Sequence, residues 1–177
     1  MKYIALHHTA VFYNGTRQIG GVDRYHKGKW NMKSSRGWYV GYNYFCEGYG
    51  WTTNTRKVGE ETIAQVGHNC DAPERCDTIS FCMAGDFRYQ KPRPVQTERF
   101  RNFVIETRKT YPHIKVVGHR DLQTNRTCPE LPQSYIDQFN KLQPDEDADK
   151  EKIQELQTRL DYIRGLIARM VEMLRLN

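Results

Sequence analysis

The spacing of apolar and polar positions changes several times along this chain, and each change marks an element. Residues 2–8, KYIALHH, are apolar or aromatic on both parities, which predicts a strand buried on both faces. GGVDRYHKGKW (20–30) follows a glycine pair and places Val22, Tyr25 and Trp30 near helical spacing. VGYNYFCE (40–47) predicts a second strand, and GYG (48–50) turns it into a third that begins WTTNT. DTISFCMAGDF (77–87) predicts a further central strand ending at Gly85. PVQTERFRNFVIETRKTY (94–111) repeats Phe100, Phe103, Val104 and Thr107 on one face, the mark of a helix. KVVG (115–118) predicts a short strand leading into His119, and QSYIDQFNKL (133–142) a short helix. Strands and helices interleave, so the expected fold class is α/β, a central mixed β-sheet flanked by helices.

After residue 142 the pattern changes in kind. QPDEDADKEK (143–152) is a proline followed by an acidic run, which predicts a solvated linker over 143–149 and a helix start. Beyond it Ile153, Leu156, Leu160, Ile163, Ile167, Met170 and Leu174 recur with alternating spacings of three and four, a sustained heptad seam. Leu166, Val171 and Met173 widen the apolar face toward the C-terminus. Residues 150–177 therefore predict a coiled-coil-like helix, with homo-oligomerisation through residues 150–176 as the expected role. A helix docked on its own domain (1–142) is the competing reading.

Composition adds constraints. With 38% hydrophobic and 27% charged residues the chain has the make-up of an ordinary soluble protein. The net charge of +6 is concentrated in residues 1–144, which hold 21 Lys/Arg against 13 Asp/Glu; residues 145–177 hold 6 against 8. A basic globular part favours an anionic partner: nucleic acid, a membrane surface or a cell-wall polymer. Helix-turn-helix, RNP-type and zinc-finger spacings are all missing, so no nucleic-acid partner is expected. No apolar run approaches the ~20 residues needed for a membrane span. The N-terminal MKYIALHHTA lacks the apolar core of a signal peptide, so synthesis in the cytoplasm without a leader is expected.

The stretch VVGHRDLQTNRTCPE (116–130) sets His119 and Cys128 at the two ends of one small loop. Zinc accepts imidazole and thiolate, and a catalytic site uses three protein ligands with a fourth position open. His7 and His8 close the first strand, where neighbouring side chains point to opposite faces, so only one of them belongs to a shared site. One of these with His119 and Cys128 makes a complete ligand set; a buried structural histidine beside an inert cysteine is the alternative.

LHHTA, YHKGKW, VGYNYF, TISFCMAGDF, VGHRD and TCPE follow one another in an order and at distances that resemble the zinc-dependent N-acetylmuramoyl-L-alanine amidase family. That family includes the amidase-type bacteriophage lysozymes and the peptidoglycan-recognition proteins, and the resemblance covers about residues 3–140. It implies a peptidoglycan cleft with Zn2+ at its floor, and hydrolysis of the amide between the lactyl group of muramic acid and L-alanine. It implies His7, rather than His8, with His119 and Cys128 as the metal ligands. Tyr42 matches a tyrosine that assists catalysis, and His68 a cleft histidine that contacts substrate. Arg126 stands where the phage enzymes carry lysine and other members threonine; arginine cannot act as a general acid near neutrality, so it supplies charge alone. The branch that recycles soluble muropeptides carries a glutamate where this chain has Cys82, which points toward an endolysin-like enzyme acting on the wall after release. A non-catalytic peptidoglycan-binding module and a cytoplasmic recycling amidase are the alternatives.

Four cysteines remain. Cys46 and Cys82 fall on predicted strands as core thiols. Cys70 and Cys76 bracket DAPER and could pair, although synthesis in a reducing compartment favours unpaired thiols.

Overall fold

The strand Tyr3–His8 (β1) is buried from Ile4 onward, as its two-sided apolar pattern requires. The computed structural model describes residues 1–63, 76–123 and 125–144, together with 156, 157, 159, 160, 163, 164 and 167. After β1 come α1 (Ile19–Trp30), β2 (Tyr44–Cys46), β3 (Thr52–Asn54), β4 (Thr78–Met83), α2 (Pro94–Thr110), β5 (Lys115–Gly118), α3 (His119–Leu122) and α4 (Gln133–Asn140). The strands form one mixed sheet in the order β3-β2-β4-β1-β5. β1 runs parallel to β4 and β5, β2 runs parallel to β4, and only β3 is antiparallel to its neighbour. The expected mixed sheet with flanking helices is the fold.

Two packing layers cover the sheet. Ile4, Leu6, Phe81 and Met83 point to one side and meet Phe100 and Val104 of α2 and Phe139 of α4. Phe45, Cys82 and Ala84 point to the other and meet Ile19 of α1 and Val40. On α2 the buried positions are Gln96, Phe100, Val104 and Arg108, so the stripe includes Arg108 where the pattern suggested Thr107. The Arg108 guanidinium donates to the carbonyls of Phe139 (2.8 Å), Ile114 (3.3 Å) and Leu142, covering the carbonyl end of α4. A buried cation is tolerated there because helix-terminal carbonyls carry partial negative charge. Gln96 ties α2 to the sheet: its Nε2 donates to the carbonyl of Ala84 at 2.9 Å and its Oε1 accepts the Arg93 N–H at 3.0 Å.

Two elements differ from the pattern. The second strand spans three residues rather than 40–47, because Asn43 competes with the ladder. Its Oδ1 accepts the Ser80 N–H and hydroxyl, both at 2.9 Å, while its Nδ2 donates to Thr62 at 3.1 Å. In α1 the buried residues are Ile19 and His26, whereas Tyr25 of the expected stripe is 63% exposed. Glu47, fully buried after β2, explains how α1 begins. Its carboxylate accepts the N–H groups of Gln18 and Ile19 at 3.0 Å, acting as a helix cap supplied from a distant strand.

Cys46, Cys82 and Cys128 are free thiols, whereas Cys76 is disulfide-bonded, which corrects the expectation of unpaired thiols there. The compartment of synthesis constrains where a chain is made, not the redox conditions where it works. Cys70 lies outside the described residues.

The chain divides into two compact units, Met1–Gln143 and Pro144–Asn177. In the second, the described residues beyond Pro144 are helical, and Leu156, Leu160, Ile163 and Ile167 of the heptad seam are exposed. Ile153, Met170, Leu174 and the acidic linker beyond Pro144 lie outside the described residues. Among the described residues, no helix is long and apolar enough to cross a membrane.

Candidate metal centre and cleft

The alternation of β1 separates its two histidines. His7, 1% exposed, faces α1, with its ring 4.4 Å from that of His119 and 5.0 Å from that of Tyr42. The thiol sulfur of Cys128 lies 3.8 Å from His7 Nδ1. One ligand atom from each of His7, His119 and Cys128 falls within 4.8 Å of the others. His8 faces the opposite side, where its Nδ1 accepts the Phe87 N–H at 3.0 Å.

The loop between His119 and Cys128 is closed by short links that follow from its sequence. The Arg120 N–H donates to the Cys128 carbonyl at 2.8 Å, and the Gly118 N–H to Asp121 Oδ2 at 2.7 Å. A Cβ at Gly118 would stand 2.9 Å from the Pro129 ring, so the strand end must be glycine for the cysteine to fold back onto it. The histidine–thiol pairing read from VVGHRDLQTNRTCPE thus closes on the strand that carries His7.

Tyr42 is placed by groups on α1 and just past the end of β3. The adjacent Gly41 N–H donates to His26 Nδ1 at 3.0 Å, and the Thr55 hydroxyl donates to the Tyr42 carbonyl. Asp23 Oδ1 accepts the N–H groups of Tyr39 and Val40 at 2.6 and 3.1 Å. A Cβ at Gly41 would come within 2.5 Å of the Trp30 ring, so only glycine lets this segment lie against α1. Cys82 lies beside His7 in the β1–β4 register, and its thiol lies against the Tyr42 side chain. The sequence alone reads Cys82 as a plain core thiol and assigns His26 no role. No local signal marks either, because each acts on a residue that is remote in sequence.

The environment keeps these groups neutral. Burial, helped by Lys29 and Arg56, pulls His26 down to about 4, and burial pushes the Cys128 thiol up to about 12. Burial also raises Tyr42 well above the ordinary phenol range. A buried thiol of this kind becomes thiolate when a cation is bound beside it. Two imidazoles and one thiol that can converge on one point form the donor set of a three-ligand zinc site with an open position.

The three candidate ligands open onto a cleft of about 490 Å³, lined also by Tyr25, His26, Tyr42 and Arg126. Arg126 is exposed, with its Nε donating to Gln123 Oε1 at 3.3 Å, so it reaches the cleft from the rim. The structure therefore gathers His7, His119, Cys128, Tyr42 and Arg126 at one cleft. His68 lies outside the described residues.

The fold has close counterparts among solved structures. The N-acetylmuramoyl-L-alanine amidase LysC from Clostridium intestinale is 20% identical at a TM-score of 0.55, over 76% of this chain and 81% of that one. The Ph2119 endolysin of a Thermus scotoductus bacteriophage is 22% identical at 0.55, over 77% and 82%. Drosophila peptidoglycan recognition protein SD is 13% identical at 0.56, over 80% and 79%. Comparison with curated proteins gives no match. The N-acetylmuramoyl-L-alanine amidase family matches residues 1–131, and the chain belongs to that family.

Proposed function

We propose that this protein is a zinc-dependent N-acetylmuramoyl-L-alanine amidase of endolysin type, which cuts the lactyl–L-alanine amide of peptidoglycan and acts on the wall after release from the cytoplasm. The observation that carries the reading is the convergence of His7, His119 and Cys128 within 4.8 Å at the floor of a cleft. Those three residues would hold the ion, and their types fit it. Bound there, zinc supplies Lewis acidity and lowers the pKa of water toward about 7.

The chain's own side chains supply the rest. Tyr42, held neutral by burial, keeps its proton and donates a hydrogen bond to the oxygen that gains charge as the amide carbonyl is attacked. Arg126 adds positive charge at the rim but no transferable proton. Aromatic and aliphatic side chains of α1 and of the loop after β1 line the walls and exclude water from the amide. A purely binding module has no use for a thiol beside two imidazoles, so Cys128 favours the enzyme. Metal analysis with mass spectrometry of digested peptidoglycan tests the reading. About one zinc per chain and new L-alanine amino termini are expected, and stems still joined to the glycan after digestion would overturn it.

The exposed seam of Leu156, Leu160, Ile163 and Ile167 supports a second element of the proposal, that residues 150–176 associate several chains. Light scattering of the full chain reads this directly. A monomer at micromolar concentration would overturn it.

A further inference from the structure

The charged residues from just before α1 to Tyr42 are almost all cationic. Between Arg17 and Gly41 it holds six Lys/Arg residues and a single acid, Asp23. That carboxylate is occupied by the Tyr39 and Val40 backbone N–H groups, and Arg17 reaches Glu47 at 3.7 Å. Arg24, Lys27, Lys29, Lys33 and Arg36 are all exposed, and among the described residues none of them is ion-paired to a carboxylate.

The lysines are seated on rings. Lys27 and Lys33 place their ammonium groups 5.3 and 5.9 Å from the centre of the Tyr39 ring. Lys29 lies 5.6 Å from Tyr25 and 5.2 Å from Trp30. Such contacts restrain long, flexible side chains and hold their charges at fixed places. One end of this surface opens into the cleft, since Tyr25, Lys29 and Trp30 line it; Lys27 and Lys33 do not.

Lysine interleaved with aromatic residues commonly suggests a nucleic acid, which needs open rings on which bases can stack. Here Tyr39 lies under two ammonium groups, so the surface offers spaced positive charge rather than stacking faces. Its complement is a polymer that repeats small anions and carries no bases. The polymer proposed for the cleft has this chemistry, because each peptide stem along the glycan bears free carboxylates.

We propose that the exposed side of α1 and the loop to Tyr39 form a docking ledge for the acidic stems that neighbour the one in the cleft. The ledge makes the enzyme prefer polymeric peptidoglycan to soluble fragments. This rests on the amidase reading. Contacts outside the cleft raise the local concentration of the next stem without altering the chemistry.

The test compares Lys27→Glu/Lys33→Glu with Lys115→Glu/Lys141→Glu, a pair of exposed lysines elsewhere that changes net charge equally. Full-length protein in a Tyr42→Phe background, where cleavage is slow, is co-sedimented with peptidoglycan freed of attached polymers. The ledge pair should weaken binding about tenfold at low salt and lose most of its salt dependence, while the control pair binds as the parent does. With Tyr42 restored, the ledge pair should lower the ratio of kcat/KM on polymer to kcat/KM on a soluble muropeptide by a similar factor. Equal weakening by both pairs, or by neither, overturns the ledge. So does ledge-dependent binding to DNA or to a polyol-phosphate polymer with none to stripped peptidoglycan. Ledge-dependent binding in a protein that cleaves neither substrate would instead retire the amidase reading and leave the ledge standing.

Discussion

The two sides of the central sheet are built from the same strands and serve opposite ends. Along β4, Ile79, Phe81 and Met83 face α2 and α4, where they meet Phe100, Val104 and Phe139 in an aromatic core. The intervening Ser80 and Cys82 face the other way, as Ala5 and His7 do on β1. On β4 large side chains fill one side, while the small Ser80 and Cys82 on the other leave room for Tyr42, His119 and Cys128 to approach His7. A strand period of two lets one segment carry both programmes without compromise. Substitutions should therefore separate cleanly: changes on the cleft side cost activity, and changes on the packed side cost stability.

The most severe loss should follow Cys128→Ser. Replacing the sulfur ligand is expected to remove most bound zinc and nearly all hydrolysis, while circular dichroism still reports the native sheet and helices. Full zinc occupancy with full activity would break the comparison at its strongest point. Phe81→Ala is its counterpart across the sheet. Truncating a fully buried phenylalanine costs about 3–5 kcal/mol, a large share of the ~5–15 kcal/mol that holds a domain together. Calorimetry should show the melting temperature falling by about 10–20 °C. The fraction that stays folded at low temperature should keep its zinc.

Tyr42→Phe sharpens the contrast within the cleft. It deletes one hydrogen-bond donor and little volume, so the melting temperature and zinc content should hold while kcat drops about 10²-fold. An unchanged kcat would return Tyr42 to a packing role against His7 and His26.

How much of this could be read from the chain alone depends on how far each interaction reaches. β1, β4 and α2 were legible because burial imprints its period on consecutive residues. The approach of Cys128 to His119 was legible because the two are near neighbours in sequence, so a short loop can return the thiol to the strand end. What escaped is long-range and polar. Asn43 shortens β2 through Ser80, and Glu47 caps α1 from the end of another strand. Cys82 meets Tyr42, and His26 accepts from Gly41. In each case an ordinary residue type gains its meaning from a partner brought near only by the fold, so no window of sequence contains the signal. The Tyr25 face of α1 misled for a related reason. An aromatic side chain in a helical stripe suggests burial, but this one lines a cleft and holds a lysine.

His26 gives the smallest predicted effect, because it serves both sides of the comparison: it is buried like a core residue, yet it supports the segment that carries Tyr42. Its ring stacks on Trp30 at 4.4 Å, and its Nδ1 accepts the Gly41 N–H, which a protonated ring cannot do. Burial, with Lys29 and Arg56 nearby, sets its folded pKa at about 4 against an ordinary 6.5. Between those values the unfolded chain binds a proton that the folded chain refuses, so stability rises with pH across the window. The contribution is complete above about pH 6.5 and is lost as the pH falls toward 4. Part of the ring faces the cleft, so the full shift is discounted to about 2 kcal/mol. His26→Gln keeps an acceptor for Gly41 without a titrating group. Its melting temperature should vary less than that of the parent between pH 4.5 and 7.5, both measured with metal chelated so that ligand protonation does not contribute. kcat of the zinc-loaded parent should fall over the same window more steeply than that of the variant, because Tyr42 is the next residue after Gly41. Parallel stability curves for the two proteins would show that the acid sensitivity resides elsewhere in the cleft.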